Sequence, residues 1–419
     1  MFTCCCLRVA AFSGSLAPAM KTPRTSLLIT LTGRDRPGVT SRLFGVLARH
    51  PVSVLDVEQV VIRGRLVLGV LLGCDAPPDL NEIHSAVDAL AAGLGLEAEI
   101  TMGSAPSASA EGVRGGRLHV TLLGSPLSPA AITAIAGRIA ASGANIDRIG
   151  RLAQQPVTCI ELDVSGGDPA TLRDDLARAA VQHGIDVAVQ RGGLHRRALR
   201  LIVMDVDSTL IQDEVIDLLA ERAGCAAEVA KVTAAAMGGE LDFAASLRER
   251  VSLLAGLPAG VLDEVRAGLR LTAGARTLIE TLSGLGCKSG IVSGGFIQVI
   301  GPLAAGLGID YVAANELEIR DGKLTGLLCG PLIDRAGKAD ALRRFAASAG
   351  VPLSQTVAVG DGANDLDMIA AAGLGVAFNA KPVVRDAADT SLSVPYLDAI
   401  LYLLGISSDD VADAEQPPA

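Results

Sequence analysis

The sequence predicts an α/β chain built from two small ferredoxin-like βαββαβ modules followed by a Rossmann-like, doubly wound parallel sheet with an inserted helical cap. Three observations carry that expectation. A strand–helix–strand–strand–helix–strand pattern occurs twice, at 26–102 and again at 118–190. From residue 200 to about 406, short apolar runs alternate with helical periods. Hydrophobic residues make up 50% of the chain but aromatics only 2%, with no Trp, so the core must be Ala, Val, Leu and Ile, as in helices packed on sheets.

At 419 residues the chain exceeds one ordinary domain. Residues 1–24 read as a disordered leader, with one Arg and a broken apolar patch before Met20, which is itself a plausible start. Of eight cysteines, Cys4, Cys5 and Cys6 are contiguous and the rest scattered, without metal or disulfide-framework spacing, which suits reduced thiols in the cytoplasm. No apolar run reaches the roughly 20 residues that cross a bilayer, so no membrane partner is expected. A net charge of -10 with so few aromatics argues against nucleic acid and for a small substrate.

The first module, 25–103, opens with an alternating strand that runs through Asp35-Arg36-Pro37-Gly38 into a helix at 39–49. Strands at 52–62 and 66–72 meet at Arg63-Gly64-Arg65, a hairpin-like turn, and a helix at 80–94 precedes the closing strand. Residues 104–116, rich in Ser, Ala and Gly, read as a flexible linker. The second module, 117–191, repeats the order but has Ser125-Pro126-Leu127-Ser128-Pro129 at the corresponding turn. The first loop has two readings of equal weight. Pro fixes the turn and Gly38 lets a ligand carboxylate approach backbone N–H groups, or the loop is simply a strand-to-helix turn. The element order and loop resemble ACT domains, which implies amino acid binding at paired interfaces; a homodimer is expected, with an amino acid effector near Gly38, L-serine above all if serine is the product of the catalytic half.

The remaining domain, 199–406, has strand candidates at 201–204, 288–292, 311–313 and 356–359. About 213–272 is helical and longer than a crossover requires, so it reads as a cap over the site. A hairpin is signalled at 316–325, and the acidic tail 407–419 reads as disordered.

Four motifs in this half each offer phosphate or metal chemistry: Asp205-Val206-Asp207-Ser208-Thr209, Ser293-Gly294-Gly295, Lys338 at a helix start, and Gly360-Asp361-Gly362-Ala363-Asn364-Asp365. Each follows an apolar strand or opens a helix, where a doubly wound sheet places its ligands. Asp205, Asp207, Asp361 and a phosphate dianion would crowd one crevice, and unit charges about 4 Å apart repel by roughly 4 kcal/mol at an effective dielectric near 20. Lys338 alone does not offset that. A divalent cation does, and oxygen ligands beside phosphate favour Mg²⁺ over zinc.

In order and spacing these motifs closely resemble the haloacid dehalogenase (HAD) superfamily of phosphohydrolases. The resemblance implies Asp205 as nucleophile and Asp207 as general acid and base. It also implies Ser293, Gly294 and Lys338 at the phosphoryl group, Asp205, Asp361 and the Asp207 carbonyl around Mg²⁺, and Asn364 and Asp365 in support of substrate and metal. In the cap, Glu214 and Arg250 suit the ammonium and carboxylate of a zwitterion, with Met237 and Phe243 excluding water. Read from the residues alone, the same charges are solvated helix positions and Phe243 is core. The run from Met237 to Gly256 resembles the phosphoserine phosphatase branch, which implies O-phospho-L-serine as substrate, bound by Glu214, Met237, Phe243 and Arg250. A phosphotransferase, or a phosphatase for another phosphorylated amino acid or small metabolite, is the alternative.

Overall fold

The computed structural model describes residues 25–74, 80–104, 117–192, 198–237 and 242–415. The leader expected over 1–24, and nearly all of the linker expected over 104–116, lie outside the described residues. The chain divides after Val113 into two compact units.

In the first unit, β1 (Thr25–Arg34), α1 (Val39–Leu47), β2 (Val52–Ile62), β3 (Arg65–Cys74), α2 (Leu80–Leu94) and β4 (Leu96–Ser104) follow the expected order. The sheet is antiparallel in the order β2-β3-β1-β4. Alternate residues Leu27, Ile29 and Leu31 of β1 and Leu66, Leu68 and Val70 of β3 pack with Leu43, Ile83 and Val87 of the helices. The β2–β3 turn has positive φ at Arg63 (47°) and Gly64 (76°), the twist that two-residue hairpins require. Edge strand β2 leaves Val54, Val57, Val60, Val61 and Ile62 at 40–66% exposure, an apolar row with open backbone groups.

The second unit begins with β5 (Leu118–Gly124), α3 (Pro129–Ala141), β6 (Asn145–Ala153), β7 (Thr158–Ser165), α4 (Pro169–His183) and β8 (Asp186–Arg191). Ser128 Oγ and Asp168 Oδ2 accept the Ala131 and Thr171 amides, and Pro sits at the first turn of both helices.

The chain continues as β9 (Leu201–Met204), α5 (Val215–Ala223), α6 (Ala226–Met237), α7 (Phe243–Ser252), α8 (Val261–Gly268), α9 (Ala275–Gly284), β10 (Lys288–Phe296), α10 (Ile297–Leu307) and β11 (Tyr311–Arg320). It closes with β12 (Lys323–Cys329), α11 (Arg335–Ala349), β13 (Thr356–Gly360), α12 (Leu366–Ala371), β14 (Leu374–Phe378), α13 (Pro382–Ala387), β15 (Thr390–Leu392), α14 (Ile400–Leu403) and α15 (Ser408–Glu415). Strands β11-β10-β9-β13-β14-β15 are parallel neighbours, the doubly wound order with its switch point at β9. Helices α5 to α8 are the cap insertion between β9 and α9.

Four features depart from the sequence reading. The strand at 311–313 and the first arm of the hairpin are one strand, β11, which pairs in parallel with β10 at Tyr311 and antiparallel with β12 at Glu316. Strands β14 and β15 had no expectation. Leu374–Phe378 is buried throughout, so it lacks alternation, and it follows an Ala-rich helix with only Ala372 and Gly373 between. The second module does not stand apart: Thr390 of β15 pairs with Ala188 of β8, giving one sheet of 11 strands. Of the tail expected to be disordered over 407–419, Ser408–Glu415 forms α15, and 416–419 lie outside the described residues. Ser407 Oγ accepts from the Asp410 amide and Asp410 Oδ2 from the Ser407 amide, a reciprocal cap, and Val411 packs on the core.

Candidate active site

Strand β9 is buried at all four residues and ends at the switch point, so the next residue is delivered to the crevice. That residue is Asp205, 3% exposed. The turn beyond it, Val206–Leu210, puts Ser208 in the left-handed region (φ 57°), a strained conformation of the kind that clusters at functional sites.

Lys338 Nζ, at the first turn of α11 and 1% exposed, lies 2.7 Å from both Asp205 Oδ1 and Asp365 Oδ1. Carboxylate oxygens of Asp205, Asp361 and Asp365 lie within 4.8 Å of one another. Three carboxylates thus face one ammonium. Burial, then the Asp365 charge, raises Asp205 well above the usual carboxylate range, with Lys338 opposing. The same two causes push Asp361 up to about 6. Burial alone would lower Lys338, but Asp205 and Asp365 carry it upward instead. The surplus of negative charge and the all-oxygen donor set fit a hard divalent cation.

Asp207 sits beside this cluster with each carboxylate oxygen bonded. The Val215 amide donates to Oδ1 (2.8 Å), and Ser293 Oγ lies 2.9 Å from Oδ2 while itself accepting from the Gly295 amide (2.7 Å). Burial raises the Asp207 carboxyl, opposed by these hydrogen bonds. Ser293, expected at a phosphoryl group, thus holds Asp207, and Lys338, expected there too, bridges two carboxylates.

Glycines allow this crowding. A Cβ on Gly360 would lie 2.3 Å from Asp365 Cγ, and one on Gly294 would lie 3.2 Å from Phe243 Cζ. Asp365 Oδ2 accepts the Gly362 amide at 3.0 Å. Buried Asn315, 1% exposed, donates to the Gly294 carbonyl and accepts the Ile333 amide, both at 2.8 Å. Sequence reasoning passed over Asn315, although an amide that alternates with Ala313 and Leu317 on one face of a strand marks a side chain that needs partners.

The cap closes a cavity of about 530 Å³ lined by Asp205, Asp207, Glu214, Phe243, Arg250, Gly294, Asp361 and Asn364. Asp217, Thr233, Ser246 and Lys381, which no motif singled out, line it as well. Burial and the Asp207 charge push Glu214 up to about 7 despite a 2.7 Å hydrogen bond from Ser208 Oγ. Burial lowers Arg250, whose Nε donates to the Ser246 carbonyl at 3.4 Å. Met237 ends α6, and its side chain lies outside the described residues. Gly38 lies in the first unit at the N-terminus of α1 with φ 89°, which alone favours glycine there.

Residues 202–370 match the haloacid dehalogenase-like hydrolase family, and 25–101 and 118–190 each match an ACT domain family. The chain is 59% identical over 392 residues to a phosphoserine phosphatase of Streptomyces coelicolor, covering 93% of this chain and 94% of that one. It is 53% identical to a phosphoserine phosphatase of Mycobacterium tuberculosis, covering 94% of this chain and 96% of the other. Among solved structures, an unliganded probable phosphoserine phosphatase from Vibrio cholerae is 36% identical with a TM-score of 0.55, covering 71% of this chain and 89% of that one. A HAD family hydrolase from Salmonella enterica serovar Typhi is 27% identical with a TM-score of 0.61, covering 69% and 98%.

Proposed function

This chain belongs to the phosphoserine phosphatase family of haloacid dehalogenase-like hydrolases, and we propose that it hydrolyses O-phospho-L-serine to L-serine and phosphate through an aspartyl-phosphate on Asp205. The observation that supports the substrate is the cavity itself. It has a buried carboxylate nucleophile on its floor and, in the cap, an acid and a base of opposite charge, Glu214 and Arg250.

In this mechanism the phosphate ester enters with its phosphorus over Asp205. Arg250 pairs with the substrate carboxylate through its planar fork, Glu214 takes the ammonium, and Phe243 excludes water. Asp205 attacks phosphorus, and the P–O bond to the serine oxygen breaks. Asp207, whose neutral form burial favours, gives that oxygen its proton. Serine departs, and the same carboxylate, now ionised, takes a proton from the water that attacks the aspartyl-phosphate. Asp205 is then free again. Ser293 and the Val215 amide hold Asp207 for both transfers. Lys338, with a small amount of help from the adjacent helix start, keeps positive charge against Asp205.

Asp205, Asp361 and the Asp207 carbonyl would hold Mg²⁺, with Asp365 close by and Asn364 toward the substrate. When bound, the ion supplies the positive charge that offsets the carboxylates and the phosphate. Release of phosphate from a panel of phosphorylated metabolites, with Mg²⁺ present, tests the substrate. Phosphoserine should be preferred over sugar phosphates by a wide margin, and equal rates would remove it.

The ACT modules would bind an amino acid effector, L-serine first, and pair two copies of the chain as a cytoplasmic homodimer. The apolar edge strand β2 supports the pairing, because such an edge calls for a partner. Light scattering on Val57→Lys with Val61→Lys should then report a monomer. Calorimetry of L-serine binding to the full chain tests the effector. A single site displaced by phosphate would locate serine at the active site alone.

A further inference from the structure

Two hydroxyls in the cap have no role in the mechanism so far. Ser246 on α7 is 1% exposed, and neither its Oγ nor Thr233 Oγ1 on the adjoining α6 has a hydrogen-bond partner among the described residues. Both residues line the cavity that holds Asp205 and Arg250. A buried hydroxyl left without a partner is costly, so most are paired, and two that line one binding cavity point to a polar group that arrives with the ligand.

Position identifies that group. Ser246 lies one turn before Arg250 on the same face of α7, and the Arg250 Nε is tied back to the Ser246 carbonyl at 3.4 Å. Among the described residues, Arg250 has no carboxylate within ion-pair distance, so its outer nitrogens remain for an incoming anion. A carboxylate offers about four lone-pair directions, and a guanidinium fork occupies two of them. Hydroxyl donors on the same side can take the others.

We propose that Ser246 and Thr233 are specificity-determining residues whose hydroxyls donate to the carboxylate of the substrate's amino acid moiety, completing with Arg250 a pocket selective for α-carboxylates. The inference rests on phosphoserine as the substrate. It extends the recognition of the zwitterion from two charged residues to four side chains.

The test compares O-phospho-L-serine with phosphoethanolamine, which keeps the ammonium and phosphate but lacks the carboxylate. In Ser246→Ala and in Thr233→Val, kcat/KM for phosphoserine should fall about tenfold or more, the range for a hydrogen bond to a charged group, mainly through KM. The fall on phosphoethanolamine should be several-fold smaller. The substrate-free melting temperature should not drop, because each variant removes an unpaired buried oxygen. Equal losses on both substrates, no loss on either, or a lowered melting temperature with matched losses would each overturn the proposal and make the hydroxyls packing or water-binding groups. Wild-type protein inactive on phosphoserine would overturn the substrate reading itself. The variants discriminate only once that activity is seen.

Discussion

Asp205 and Asp365 share the buried Lys338 ammonium while Asp361 crowds beside them, and the imbalance dictates how the site answers to protons and metal. A carboxyl raised by burial favours the protonated fold. For Glu214, that stabilisation is complete below the ordinary 4.5 and is lost as pH rises through about 7, and Asp361 behaves alike up to about 6. Metal-free protein should therefore melt lower at pH 8 than at pH 5. Mg²⁺ should raise the melting temperature more at pH 8, where it need not displace protons. A shift as large at pH 5 would dissociate the raised carboxyls from metal binding. Glu214 must be ionised to take an ammonium, so KM for phosphoserine should climb as pH drops below about 7, and Glu214→Gln should flatten that limb while raising KM throughout. Asp205→Asn should cut phosphate release by roughly three orders of magnitude or more with the circular dichroism unchanged. Residual turnover, once deamidation is excluded, would rule out a covalent intermediate on this residue. Much of this was legible in the sequence, because Asp205, Asp207 and Asp361 occur in strings that follow apolar strands. The partnerships were not. Nothing in the sequence spacing ties Ser293 to Asp207, or Lys338 to Asp365, since both pairs meet only when β9, β10, β13 and α11 converge.

Elements position these groups through a few buried contacts, and the contacts have measurable worth. Asn315 joins the C-terminal part of β10 to the segment before α11 by two hydrogen bonds at 2.8 Å. Asn315→Leu would leave the Gly294 carbonyl and the Ile333 amide buried without partners, costing about 2–4 kcal/mol in urea denaturation. Because Gly294 lies against Phe243 and its neighbour Ser293 against Asp207, kcat should fall with stability. Full stability with lost activity would mean that the side chain acts on the substrate. At the far end, Ser407→Ala should remove about 1 kcal/mol by uncapping α15. The tail was misread because acidic composition outweighed a four-residue cap, Ser407 to Asp410. Strands β14 and β15 escaped notice for a related reason. Five and three residues are too short to establish a period, and their place is decided by the neighbours they pair with.

At the level of the whole chain, the order of modules was legible because each repeats a pattern of strand and helix that its turns punctuate: Arg63-Gly64, Pro129, Pro169. What no local pattern announces is the joint between Thr390 and Ala188, a single antiparallel pair between segments two hundred positions apart. Around it, Asp186 Oδ2 accepts the Ser393 amide at 2.7 Å, Gln190 Nε2 donates to the Leu403 carbonyl at 3.0 Å, and Arg173 pairs with Asp389 at 3.1 Å. A seam of this kind ties melting on one side to melting on the other. Differential scanning calorimetry should resolve the second module and the phosphatase domain as one transition, and separate peaks would show the seam to be thermodynamically silent. The tie also carries information. Whatever occupies the crevice at β9 raises the free energy of opening the entire sheet, so a phosphate-mimicking anion held there should slow amide exchange in β8, far from anything it touches. By reciprocity, an amino acid that stiffens β5 and β8 would be felt at Asp205 as a change in the ease with which its strand breathes.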